Sequence, residues 1–271
     1  MQFRPIPPHR VQQTPQNRIS MDFPIFFPPD FECKFSEEGS VWLIDKPLRW
    51  TSFDVVNKLK YEIRRQTGLK KFKIGHAGTL DPLADGLLLV CLGKATKRIE
   101  ELQSQPKTYA GTFVVGATTA SFDLEQPVEN PQPFSHLTRT DVDAAVARLS
   151  GPQQQVPPLF SAVKLDGKSA FQYARKGEEV ELKAKNIIVY SFEITRFELP
   201  ELDFEICCSK GTYIRSIARD LGVVLGCGAY LKKLRRTSIG DYRVEDALPL
   251  ADFFAQVKAD YTPRKKKCFE E

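Results

Sequence analysis

The chain has 271 residues, 42% hydrophobic and 27% charged, enough to bury a sizeable core and ordinary for a soluble globular fold. Its formal charge of +5, from 39 basic and 34 acidic residues, is too mild to name a partner by itself. No apolar run approaches the roughly 20 residues that cross a bilayer. The Pro- and Gln-rich start has no apolar secretory region, so a cytoplasmic protein is expected.

Residues 1–37 hold Pro5, Pro7, Pro8, Pro15, Pro24, Pro28 and Pro29 with little periodicity, and read as an extended arm. Met21 offers a second start within it. One domain is expected over 38–250, followed by a short helix and basic tail over 251–271. The run VWLID from Val41 predicts a strand ending at Lys46-Pro47. Thr51 or Ser52 then caps a helix with Phe53, Val56, Leu59 and Ile63 at helical spacing, closed by Gly68. Leu87–Leu92 reads as a buried strand, 96–102 as a helix, Tyr109–Val115 as an alternating strand and 126–132 as a loop. Thr140 with Asp143 has the spacing of a capping box for a helix running to Leu149. Strand-like pieces follow at Gln155 and over 160–165, then a helix from Ala170 to Lys176 closed by Gly177.

Ile187–Phe197 and Leu202–Ser209 predict two strands joined by a proline turn. Thr212 starts a helix with Ile214, Ile217, Leu221 and Leu225 on one face. Tyr242-Arg243-Val244 is strand-like, and a helix is expected near Asp252. Strands and helices mix without βαβ alternation, which predicts an α+β fold with a mainly antiparallel sheet flanked by helices.

Six cysteines form no C-x-x-C pair, and the only histidines are His9, His76 and His136, so no zinc site is expected. The cations are clustered: Arg64, Arg65, Lys70, Lys71 and Lys73; then Lys232, Lys233, Arg235 and Arg236; then Arg264 to Lys267. Such clusters suit a polyphosphate backbone, and equally a solvated helix face or tail.

Two segments carry the densest polar constellations. In GHAGTLDP, the glycines permit close backbone approach, and Pro82 biases Asp81 to an extended conformation on a stiff turn. His76 and Asp81 fall between two apolar strands, where clefts form at sheet ends; a structural Asp-Pro turn explains them as well. In SKGTYIR, Tyr213 and Arg215 stand at a helix start, and an arginine paired with a buried aspartate keeps that aspartate ionised.

The segments GSVWLIDKPLRWTSFDVV, GHAGTLDPLADGLLLVCLGKATK, KTYAGTFVVGATTASFD, QVPPLFSAVKLDGKSAFQYARKG and CSKGTYIRSIARDLGVVLGCGAYLKKLRRTSIGDY, in that order, resemble the TruB-type tRNA pseudouridine synthases. The resemblance covers residues 39–245. It implies isomerisation of uridine to pseudouridine in the T-loop of tRNA (position 55) by base flipping, without cofactor or metal, and with the T-arm as partner. A pseudouridine-synthase-type fold with a catalytic cleft is implied too, and a monomer is expected. By residue, it implies that Asp81 is the catalytic aspartate and that His76 helps open the T-loop. Tyr109 stacks on the flipped uracil, Tyr213 is a second pocket tyrosine, Arg215 pairs with Asp81, Leu234 lines the pocket, and Lys46 lies near the site. Asp85 departs from the small residue common in the family and is expected to face away. The residues after Asp246 are too few for the C-terminal PUA-like domain of many relatives, so its absence is expected. The alternative is a catalytically silent tRNA-binding or tRNA-folding protein on the same scaffold.

Overall fold

The computed structural model describes residues 39–253, apart from Ala162, Asp166, Gly177 and Glu179. The expected arm, the closing Gly177 and the basic tail lie outside the described residues. The chain runs through β1 (Ser40–Lys46), α1 (Ser52–Thr67), β2 (Ile74–His76), β3 (Ala84–Leu92), a 3-10 turn (Gly93–Arg98) and α2 (Ile99–Ser104). Next come β4 (Lys107–Val115), the short pair β5 (Thr118–Thr119) and β6 (Val128–Glu129), α3 (Arg139–Arg148) and β7 (Gly151–Gln155). A second short pair, β8 (Lys164–Leu165) and β9 (Lys168–Ser169), leads into α4 (Ala170–Lys176). The remainder is β10 (Lys185–Glu198), β11 (Glu201–Cys208), α5 (Ile214–Leu225), β12 (Ala229–Ile239), β13 (Tyr242–Arg243) and β14 (Leu248–Pro249).

One sheet organises these elements in the order β14-β1-β3-β12-β4-β11-β10-β7, with β2 on β3 and β13 on β12. Among the described strands of this sheet, β1/β14 and β3/β12 pair in parallel and the others pair antiparallel. The mixed, mainly antiparallel α+β architecture is therefore the one the element pattern predicts.

β3 shows why its sequence is almost wholly apolar. Leu88, Val90 and Leu92 pack with Val55, Leu59 and Ile63 of α1. Leu87, Leu89 and Cys91 face the other way, onto Leu102, Ile239 and Val244. A strand covered on both faces needs no polar alternation. The largest core lies where Phe113, Phe204 and Phe192 meet Val142 and Val146 of α3 and Ile217 and Leu221 of α5. Phe113 and Phe204 stack with ring centroids 3.9 Å apart.

Helix ends follow local chemistry. Thr51 caps α1 in a capping box with Asp54, and Gly68 closes it in the left-handed conformation, φ 75°. The box expected of Thr140 and Asp143 is instead made by Thr138 and Asp141, two residues earlier. Both pairs have the right spacing; Thr138 is the one with extended backbone, so it alone can turn its side chain onto the third helical N–H.

The larger correction is β12. The cluster Lys232, Lys233, Arg235 and Arg236 is neither a helix face nor a tail but part of a central strand between β3 and β4. Two register shifts, between Leu231 and Lys233 and between Arg236 and Ser238, break its period of two, which hides the strand in the sequence. Most of its charge is spent inside the protein. Lys232 pairs with Glu201, while Arg235 binds Asp45 at 2.7 Å and Asp85 at 2.9 Å. Arg236 is 1% exposed.

Candidate active site

Asp81 sits in the loop between β2 and β3, at the start of an inner strand of the sheet, and hydrogen bonds hold that loop from both sides. The Ser52 hydroxyl, buried at the start of α1, accepts from Leu80 N at 2.8 Å and donates to Leu80 O at 3.2 Å. Arg49 N donates to Pro82 O at 2.7 Å, and Ala84 N to Asp81 O at 3.1 Å. On the other side, Arg236 donates to Gly78 O at 3.0 Å. The carboxylate is thus presented from backbone fixed on both sides.

Arg215, on the first turn of α5 and 4% exposed, brings its Nε to 2.9 Å from Asp81 Oδ2. Nε finds no aligned acceptor, so the contact is an ion pair rather than a directed hydrogen bond. The same Nε stands 3.6 Å from Asp123 Oδ2, and Arg215 Nη1 donates to Ser121 O at 3.4 Å. One guanidinium therefore faces two carboxylates.

Asp123 is the residue that sequence reasoning missed. It is 3% exposed, accepts from the Ser121 hydroxyl at 2.5 Å and from Glu125 N at 3.0 Å, and was hidden as the last letter of a strand-and-turn segment. A lone aspartate in a turn carries no signal of what it will face.

These groups open onto a cavity of about 540 Å3 whose lining includes Asp81, Tyr109, Tyr213, Arg215, Leu234 and Arg236. That volume falls within the roughly 300–1,000 Å3 of sites that enclose a small ligand. Tyr109 of β4 is 7% exposed, and Lys185 and Lys210 stand exposed at the rim. Tyr213 is fixed through its backbone, its N–H donating to Gln155 Oε1 at 2.8 Å.

Two expected residues lie elsewhere. Lys46 is 0% exposed, and its Nζ donates to Trp50 O at 2.6 Å and Pro47 O at 3.1 Å. It lines a separate depression with Asp45, Trp50, Asp85 and Arg235, not the cavity before Asp81. Asp85 lines that same depression, paired with Arg235. His76, at the end of β2, is half-buried with its Nδ1 unpartnered and does not line the cavity.

Electrostatics separates the two ends of the site. Burial pushes the Asp81 carboxyl above its ordinary range; Arg215 opposes this, Asp123 adds to it, and Lys46 opposes it from behind. Burial also raises Tyr109, against Arg236, and Tyr213, against the Ser161 hydroxyl. Lys46 is pulled down to about 8 by burial. Burial and then Arg236 lower both Lys107, to about 8, and His76. Among the described residues no group of His, Cys, Asp or Glu side chains could hold a metal ion, and no helix is long and apolar enough to cross a membrane.

Residues 64–214 match the family described as TruB family pseudouridylate synthase (N terminal domain). The chain belongs to the TruB family. It is a pseudouridine synthase, an isomerase. Residues 215–267 match the tRNA pseudouridylate synthase B C-terminal domain, so the family boundary falls between Ile214 and Arg215, inside α5. The ion pair of Asp81 and Arg215 thus joins the two matched regions of this TruB member.

The chain is 54% identical over 217 residues to tRNA pseudouridine synthase B of Phocaeicola vulgatus, covering 80% of this chain and 92% of that one. It is 53% identical to the protein of the same name from Flavobacterium johnsoniae, covering 80% and 95%. Among solved structures, a Cbf5-Nop10-Gar1 complex contains a chain 25% identical with TM-score 0.61, covering 86% of this chain and 61% of that longer one. A second, at 25% identity and TM-score 0.60, is an H/ACA RNP bound to a substrate RNA containing 2'-deoxyuridine, covering 86% and 57%.

Proposed function

We propose that this chain converts the uridine at position 55 in the T-loop of tRNA to pseudouridine, with Asp81 as the catalytic carboxylate. The observation that carries this reading is the Asp81–Arg215 pair at 2.9 Å, facing a cavity that also holds Tyr109, Tyr213 and Leu234. The relatives named tRNA pseudouridine synthase B support tRNA as the substrate.

The reaction breaks the bond from ribose C1' to N1, turns the uracil, joins C1' to C5, releases the C5 proton and leaves a proton on N1, so that the product is an isomer. Electron deficiency develops at the sugar as the first bond breaks. An ionised carboxylate meets it, either by adding to C1' or by taking a ribose proton on the way to a glycal. Both routes need Asp81 charged, and burial works against that charge, so Arg215 serves the chemistry by favouring the ionised carboxylate. Lys46 assists from behind the loop through its charge.

The target base must leave its stack, at a cost of a few kcal/mol. Stacking on Tyr109, worth roughly 1–3 kcal/mol, offsets much of this. Tyr213 and Leu234 complete the walls, and His76 meets the T-loop outside the cavity. The exposed cations Arg64, Lys70, Lys71 and Lys73, with Lys185 and Lys210 at the rim, supply salt-dependent grip on the T-arm backbone. The protein acts on it as a cytoplasmic monomer.

The test is release of tritium from uracil C5 of an unmodified tRNA transcript. Release by the protein, lost in Asp81→Asn while RNA binding survives, is the expected result. Tight binding without release by the unaltered protein refutes the reading in favour of a silent scaffold, and free uracil refutes it in favour of hydrolysis.

A further inference from the structure

The chemistry above leaves the buried cation Arg236 without a task. Arg236 is 1% exposed, yet among the described residues no carboxylate pairs with it. A guanidinium stripped of water without an acidic partner is costly, and an apolar side chain would fill the same space more cheaply. Its fork is spent on backbone. Nε donates to Leu87 O at 2.8 Å, Nη2 to Gly78 O at 3.0 Å, and Nη1 reaches Thr79 O at 3.5 Å.

Leu87 belongs to β3, while Gly78 and Thr79 begin the turn that delivers Asp81. Gly78 has φ 106°, a left-handed backbone that L side chains rarely adopt, and a Cβ there would stand 3.4 Å from Nη1. Across the sheet, Arg236 of β12 lies directly opposite Tyr109 of β4, and its charge opposes the rise that burial gives the Tyr109 hydroxyl. One residue therefore holds the loop that carries Asp81 and stands opposite the ring placed to hold the base.

We propose that Arg236 is a positioning residue for the isomerisation: it fixes the backbone at Gly78 and Thr79 and the Tyr109 ring so that Asp81 and Tyr109 face the same extruded uridine. This rests on the function proposed above. It assigns Arg236 a task other than phosphate binding, which its place in the cation cluster first implies. A lysine cannot replace it, because one ammonium on a flexible stem does not span three carbonyls as a planar fork does. The neighbouring cations agree with this division. Burial first, and then the charge of Arg236, lower both Lys107, to about 8, and His76, which places the two beside the guanidinium.

The experiment compares Arg236→Lys and Arg236→Met with the unaltered protein and Asp81→Asn, all as full chains. Tritium release is measured in single turnover with protein in excess over tRNA, each well below its own melting midpoint. RNA affinity is measured separately. Arg236→Lys is expected to keep RNA affinity within about threefold while the rate per folded molecule falls on the order of 100-fold, the scale of a misplacement near 1 Å. In a Tyr109→Phe background the same substitution is expected to cost less, because one of its two targets is already altered.

The His76 imidazole, followed by NMR, is expected to titrate unchanged in Arg236→Lys and to move up toward 6.5 in Arg236→Met. Arg236→Lys turning over at the unaltered rate, losing RNA affinity alone, or losing rate only in proportion to its unfolded fraction overturns the inference. If Arg236→Met does not fold, Arg236→Lys decides alone. An unaltered protein that releases no tritium overturns the proposed function instead.

Discussion

Replacing Arg215 with methionine should move the acid limb of the pH–rate profile to higher pH. Arg215 Nε stands 2.9 Å from the Asp81 carboxylate and is itself 4% exposed. At that separation the attraction is about 1.4 kcal/mol in a water-like medium and about 6 kcal/mol at an effective dielectric of 20, or roughly one to four pH units. The Asp81 side chain keeps 38% exposure to the open cavity, so solvent screening favours the lower half of that range, about one to two units. The sign is fixed: burial already raises Asp81, Arg215 opposes the rise, and removing the cation raises it further. Activity that needs the ionised form then falls about tenfold per unit below the new limb and recovers as pH rises. Single-turnover tritium release from pH 5 to 9, with saturating protein, reads the limb directly. A uniform drop at every pH, with the limb unmoved, would show that Arg215 does not hold the charge on Asp81.

Three further outcomes follow from the same geometry. Asp123→Asn should move the acid limb the opposite way, to lower pH, because Asp123 raises the Asp81 carboxyl; the same pH series checks it. Ser52→Ala should lower stability by about 1–3 kcal/mol, the cost of leaving buried Leu80 backbone groups unpaired, and should reduce turnover with it. Denaturant unfolding alongside single-turnover rates measures both. Phe204→Ala should cost about 3–5 kcal/mol in the same unfolding assay, because it removes a buried ring stacked on Phe113.

Much of this fold is written locally. The Thr51–Asp54 box and Gly68 bracket α1, and the apolar run of β3 marks a strand covered on both faces. Where signals competed, local chemistry was ambiguous: Thr138 and Thr140 each precede an aspartate at capping distance, and only backbone conformation separates them. β12 was illegible for a different reason. Lys232 and Arg235 are neutralised by Glu201, Asp45 and Asp85, which are remote in sequence, and its bulges erase the alternation that would have revealed a strand.

The site divides the same way. Asp81 and Arg215 stand in dense motifs, and the structure brings them together with Tyr109, Tyr213 and Leu234 around one cavity. Asp123 and Arg236 have no comparable context. What they do depends on contacts made across the sheet, to Arg215 in one case and to the Gly78 and Leu87 carbonyls in the other. Lys46 is legible as a lysine before a proline, but not as one wholly buried behind the loop it neighbours.

The most direct test is to map pseudouridine, nucleotide by nucleotide, in one tRNA transcript treated with the unaltered protein and with Asp81→Asn. The account predicts a single modified uridine in the T-loop, at position 55, and none from a variant that still binds the RNA. Modification elsewhere, or an Asp81→Asn protein that still modifies the T-loop, would contradict it.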